Sequence, residues 1–157
     1  MKKLLTVSSF LAIITGIVMI GGGVWGITFT YTNVARENII TPKDASIPSV
    51  PVRGLFTLRA QADIIRAHTL RMTGGKTYAE MPREIPKLDQ NGTPVLDESG
   101  KPVMTVNTAR DIWITANVLI TALNLGIVTY AFSGLVFFLG LISIWTGITF
   151  FALSKKY

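Results

Sequence analysis

Two long apolar runs, residues 4–31 and 112–153, contain no Asp, Glu, Lys or Arg. Each exceeds the roughly 20 residues that a helix needs to cross the hydrocarbon of a bilayer. The pattern reads as an integral membrane protein with two helical spans separated by a polar stretch. A cleaved signal peptide is the competing reading of the first run, which follows Lys2 and Lys3 and carries small residues at 21–23. That run is longer than the usual apolar region of a signal peptide, about 7–15 residues.

Charge placement orients the spans. Of the net charge of +6, Lys2, Lys3, Lys155 and Lys156 contribute four. Residues 36–111 hold 11 basic and 9 acidic side chains, so they form no basic patch for nucleic acid. Lysines flanking a span mark its cytoplasmic side. Both termini are therefore expected in the cytoplasm of a cell membrane, with residues 36–107 outside. The chain has no cysteine, so a head on the outer side must be held by packing or by its membrane helices.

The second run poses a length problem. As one helix, residues 108–153 would extend about 69 Å, against about 30 Å of hydrocarbon. Two spans turning near "YAFSG" would move Lys155 and Lys156 to the outer side, against the charge rule. The polar side chains Asp111, Asn117, Thr121 and Asn124 all lie in the first half of the run, where lipid would penalise them. The expected organisation is a first span over 1–31, an outer head over 32–127 that includes the outward end of the second helix, and a second span with its tail over 128–157.

Within the head, Pro42, Pro48 and Pro51 suggest an extended crossing segment over 41–54. Residues 55–72 repeat Leu55, Leu58, Ala62, Ile65 and Met72 at helical spacing, interrupted by Thr69. Arg59, Asp63 and Arg66 stand on the other side at ion-pair spacing. "TGGKT" follows. It ends like a phosphate-binding P-loop, but Leu70 occupies the position of that motif's first glycine. Gly74 and Gly75 read instead as a helix stop. "DQNGTPV" recurs eight residues later as "DESGKPV", which predicts a small β-hairpin or meander over 89–103.

Small residues recur every seven positions in both runs: Ser9, Gly16, Gly23 and Thr30 in the first, Gly126, Ser133, Gly140 and Gly147 in the second. Such a period keeps one face toward a partner helix, and small residues let backbones approach where lipid supplies no hydrophobic drive. The expectation is an antiparallel pair packed along these faces. Phe137 is expected off the face, Leu139 outward, and Gly22 with Gly26 on a second contact face.

Catalytic chemistry finds little support. His68 is the single histidine, beside the apolar stripe of the 55–72 helix. No nucleophile motif accompanies it, and no catalytic, cofactor or metal site is expected. Arg66, His68, Asn117, Thr121 and Asn124 form a candidate contact surface on the head.

"ARENI" followed by "QADIIRAHTLRMTGGKTYAEMPRE" resembles a family of small two-span bacterial membrane proteins, mainly actinobacterial. The resemblance covers most of the chain and is most specific over residues 61–84. The repeat segment at 89–103 stands as an insertion relative to that family. Members are often labelled aromatic ring-opening dioxygenases. Non-haem iron oxygenases of that kind use two histidines and a carboxylate, and this chain has only His68. The mainly α-helical membrane fold therefore points to a non-enzymatic protein. The leading expectation is an accessory or structural subunit of a larger membrane complex, or a self-assembling envelope protein. Its partners would be the lipid bilayer and other membrane subunits or its own copies. The alternative is an extracytoplasmic ligand-binding or sensory module acting through a partner.

Overall fold

The computed structural model describes residues 1–156; Tyr157, the end of the expected second-span segment, lies outside the described residues. The fold is mainly helical. α1 spans Lys2–Arg36, α2 Leu55–Met72 and α3 Thr108–Lys156, with a 3₁₀ turn at Tyr78–Glu80. Two short antiparallel strands, β1 (Glu84–Pro86) and β2 (Met104–Val106), pair Glu84 with Val106 and Pro86 with Met104.

The second apolar run is one continuous helix of 49 residues, about 73 Å long. No turn forms near Tyr130, because nothing in that stretch relieves the helix of its regular backbone bonds. α1 and α3 lie side by side in opposite senses. Both are long and apolar enough to cross a membrane, each with a mean hydropathy of 2.2 over its most apolar window.

α2 packs along the first half of α3, and α1 reaches the cluster around Leu58 only near its end, through Val34. The buried side chains of α2 include Leu58, Ala62 and Thr69, while Met72 is 67% exposed. Thr69 therefore continues the stripe that it was expected to interrupt. Its hydroxyl donates to the Ile65 carbonyl at 2.8 Å, so burying it strands no polar atom. Val52, Leu58, Ala62 and Leu123 form the core of the head.

Residues 41–54 are not a simple extended crossing. The chain doubles back, with Ile40 bridged to Pro51 and the Val52 N–H donating to the Ile39 carbonyl at 2.9 Å. Thr41 closes the loop: its N–H donates to the Val50 carbonyl at 3.0 Å, and its hydroxyl oxygen accepts from the Val50 N–H at 3.1 Å.

The repeat segment also differs from the expected hairpin. β1 and β2 flank it rather than lie within it. Inside, only the single bridges Leu88–Pro94 and Leu96–Pro102 form, since each eight-residue unit is mostly turn and its proline has no N–H to donate. Asp89 Oδ1 accepts from the Asn91 and Thr93 N–H groups, and Asp97 Oδ1 from those of Ser99 and Lys101. Gly92 and Gly100 take φ of +78° and +77°, which glycine adopts without steric cost. The two turns and the β1–β2 ladder meet in a closed ring. Lys87 N–H donates to Val103 O, Val103 N–H to Val95 O and Val95 N–H to Lys87 O, each at 2.8 Å. Three arms thus radiate from one backbone node.

Candidate functional site

The seam between α1 and α3 is built from glycine and serine. A Cβ placed on Gly16 would lie 2.7 Å from the Gly140 carbonyl oxygen and 2.9 Å from the Ile144 nitrogen. One on Gly23 would lie 2.8 Å from the Ser133 oxygen and 2.9 Å from the Phe137 nitrogen. One on Gly147 would meet the Ser9 oxygen at 2.9 Å. Only residues without a side chain allow backbones this close. Each step of seven up α1 matches a step of seven down α3, which sets Ser9 against Gly147, Gly16 against Gly140 and Gly23 against Ser133. Two serines tie the seam across: Ser9 Oγ donates to the Gly147 carbonyl at 2.7 Å, and Ser143 Oγ to the Ala12 carbonyl at 2.8 Å.

Three placements depart from the expected faces. Gly126 meets α2 rather than α1: a Cβ there would sit 3.2 Å from Leu58 Cδ1. At this level α2 wedges in, and Thr30, though buried, donates to its own helix at the Gly26 carbonyl. Phe137 belongs to the seam, because Gly23 rests between the successive α3 turns that carry Ser133 and Phe137. Gly26 abuts the Ser133 side chain, whereas nothing lies within 4 Å of a Cβ on Gly22. The two glycines therefore share no second contact face within the chain.

The outward faces of both helices are large and apolar. Phe10, Ile14, Val18 and Trp25 of α1 are exposed, as are Phe132, Phe138, Ile142 and Trp145 of α3. Small and polar side chains are inside while bulky apolar ones are outside. Only 11% of the most apolar window of either helix is buried.

On the head, His68 is half-buried and its Nε2 lies 2.8 Å from Asp44 Oδ2. Arg71 Nη2 donates to the same oxygen at 2.9 Å. The His68 hydrogen bond, with that of Arg71, lowers the Asp44 pKa to about 2. This clasp pins the 41–54 loop to α2. Arg66 lies over the Trp113 ring, 5.7 Å from its centroid. Trp113 is 2% exposed, and its Nε1 donates to Thr73 Oγ1 at 3.1 Å and the Lys76 carbonyl at 2.8 Å. "TGGKT" is thus the receptor for a tryptophan. Gly74 and Gly75, at φ +64° and +79°, turn the chain after α2 so that these two oxygens face the indole.

Asn117 and Asn124 are exposed on α3, each one residue along from buried Ala116 and Leu123, and Thr121 is exposed one residue along from half-buried Ile120. They share a helix face but do not converge with His68. The groove beside His68, about 440 Å³, is lined by Thr69, Asp111 and Thr115 among others, and by none of Arg66, Asn117, Thr121 and Asn124. Among the described residues no three of His, Asp and Glu come together as a metal-binding set.

Sequence reasoning missed Asp44, Trp113 and Ser143. Trp113 alone had a signal, since 113, 116, 120, 123 and 127 carry Trp, Ala, Ile, Leu and Ile at helical spacing. Comparison with known protein families, with curated proteins and with solved structures finds no match to this chain.

Proposed function

We propose that the chain is a two-span integral membrane protein, with both ends in the cytoplasm and the 36–107 region outside, that serves as a non-enzymatic accessory or structural subunit. The observation that carries this reading is the inverted burial of α1 and α3. In water, an exposed Phe, Ile and Trp surface on both sides of a glycine seam would lose about 25 cal/mol for each Å² left uncovered. In lipid those side chains are solvated, and close backbone packing becomes the main source of helix association. The head offers structural contacts rather than reacting groups: Asp44, Arg71, Trp113 and Thr73 are engaged in holding its parts together.

Topology is tested with single cysteines and an impermeant thiol reagent in intact cells. Asn91, exposed at an arm tip, should label. Ser154 is 3% exposed, so the cytoplasmic probe belongs at exposed Lys156, which should label only after permeabilisation. The reverse pattern would overturn the orientation. The subunit role is tested by crosslinking in the native membrane: specific adducts to another membrane protein or to a second copy are expected, and a monomer alone would sink it.

A further inference from the structure

α2 lies along the first half of α3, and its direction fixes which part of the head lies lowest. Leu58, near its start, rests against Gly126, and Thr73, just past its end, meets Trp113. α2 therefore runs opposite to α3, with Arg53 and the first helical turn nearest the apolar stretch of the helix pair. Two lengths place this base. Lys155 and Tyr130 are separated by about 37 Å of α3, and Lys3 and Tyr31 by about 42 Å of α1. A bilayer with its headgroup regions is about 40–45 Å thick. With the terminal lysines in one headgroup layer, Tyr31 and Tyr130 reach the other. The Tyr130 hydroxyl donates to the Arg53 carbonyl at 2.6 Å, and Arg53 Nη1 donates to the Tyr31 hydroxyl at 3.3 Å, so Arg53 lies in that layer too.

Arg53 is exposed, and among the described residues no carboxylate pairs with it. Its side chain has the Tyr31 hydroxyl as its hydrogen-bond partner, with the guanidinium 6.0 Å from the centre of that ring. Phe56 is 76% exposed. It stands two residues from buried Leu58 and so on the opposite side of α2. Helical side chains lean toward the start of their helix, which tilts Phe56 toward the bilayer. We infer that the base of the head is a phospholipid-binding surface, with Arg53 on the phosphate of a lipid in the adjacent leaflet and Phe56 at the boundary between its headgroup and chains. A guanidinium is a fork of N–H donors that matches a phosphate, and aromatic rings favour the membrane–water boundary. Trp25 and Phe29, stacked at 5.4 Å and both exposed, continue the aromatic layer on α1 just below. The lipid site rests on the membrane-spanning reading above and is independent of the subunit role.

The chain has no cysteine, so single nitroxide labels on introduced cysteines report depth. In the full chain held in phosphatidylglycerol nanodiscs, labels at exposed Val18 and Phe138 should be reached by oxygen and shielded from a water-soluble nickel chelate. A label at Asn91 should read as aqueous, and one at Phe56 should fall between the two. Aqueous readings at Val18 and Phe138 would overturn the membrane reading and the lipid site with it. Hydrocarbon readings there, with Phe56 as aqueous as Asn91, would overturn the lipid site alone.

Native mass spectrometry of the full chain in mild detergent reads the phosphate contact. The protein should retain dioleoyl-phosphatidylglycerol, and Arg53→Gln should weaken its binding about tenfold. Arg83→Gln, beside β1 and far from the base, should leave it unchanged. Dioleoylglycerol, which has the chains without the phosphate, should bind the wild type about as weakly as the phospholipid binds Arg53→Gln. Glycerol 1-phosphate, which has the phosphate without the chains, should not displace the lipid. The phosphate contact is overturned if Arg53→Gln binds like the wild type, if both arginine variants weaken binding alike, or if dioleoylglycerol binds as well as the phospholipid. Displacement by glycerol 1-phosphate would assign Arg53 to a soluble anion and overturn the lipid site.

Discussion

Gly16 and Gly140 exclude side chains from each other. A Cβ on Gly16 would fall 2.7 Å from the Gly140 carbonyl oxygen, and one on Gly140 would fall 2.8 Å from the Gly16 carbonyl oxygen. Both neighbours are backbone, so neither can swing aside as a flexible side chain would. Gly140→Leu should therefore force α1 and α3 apart and destabilise the protein by about 3 kcal/mol. Leu139→Ala, at a position 43% exposed and away from the seam, should cost less than about 1 kcal/mol, because the side chain gives up few contacts within the protein. The usual order, in which truncation hurts more than enlargement, is inverted. Unfolding in graded denaturing detergent compares the two; equal losses would show that the seam tolerates bulk.

Crosslinking gives the register. Cysteines at Gly23 and Ser133 should join under mild oxidation, and so should Gly23 with Phe137, since both α3 residues border Gly23. Gly23 paired with Gly126 should not, because Gly126 faces Leu58. Adducts at Gly126 in place of Ser133 would contradict the packing.

The seam serines should contribute modestly. Ser9→Ala and Ser143→Ala each remove one hydrogen bond between helices, at 2.7 and 2.8 Å. Within a membrane such bonds average about 0.6 kcal/mol. The double variant should lose roughly the sum, because the two bonds share no partner, and the same detergent titration measures it. A loss several times larger would mean that the serines also set the helix spacing.

The Asp44 clasp makes stability depend on acid. The His68 and Arg71 hydrogen bonds hold the folded pKa at about 2, below the usual value of about 3.9. The depressed carboxylate thus adds stability that is present above the unfolded value and lost as pH falls through the folded one. The thermal midpoint in detergent should drop between about pH 4 and pH 2, and Asp44→Asn should flatten that drop. His68→Leu should move the Asp44 ¹³C carboxyl titration up toward the ordinary range. An unmoved titration would show that the clasp is not formed.

Trp113 tests the turn after α2. Trp113→Phe keeps most of the ring but removes the N–H that reaches Thr73 and the Lys76 carbonyl. Leaving those partners should cost about 1–3 kcal/mol, against about 3–5 kcal/mol for Trp113→Ala. Hydrogen exchange should quicken in residues 73–77 first. If exchange there stays slow in Trp113→Phe, the indole hydrogen bonds do not hold the turn.

What was legible in advance was whatever repeats at short range. The three helices, the glycine stop after Met72 and the small-residue face of each long helix follow from local period, because a helix of constant pitch carries a seven-residue pattern onto one face; which residue meets which across the seam does not. Gly126 broke the pattern, since its partner is set by where α2 docks. Phe137 was misjudged because a seven-residue tally marks one residue per notch, whereas a small residue rests between two turns and touches both. Asp44 and Thr73 gave no signal. Their roles depend on residues 24 to 40 positions away, and nothing in their neighbours encodes that.

The seven-residue step has a further consequence. A seam whose small residues repeat identically on both helices is degenerate: sliding α1 along α3 by one heptad, about 10.5 Å, again sets small against small, with Gly16 opposite Ser133 and Ser9 opposite Gly140. Like two rulers with the same graduations, the two long helices alone cannot tell one alignment from the next. The head reads the scale, because Leu58 fits only against Gly126 and the Tyr130 hydroxyl reaches the Arg53 carbonyl at 2.6 Å only in this alignment. Loosening the head should therefore cost the helix pair its unique alignment before it costs the pair its contact.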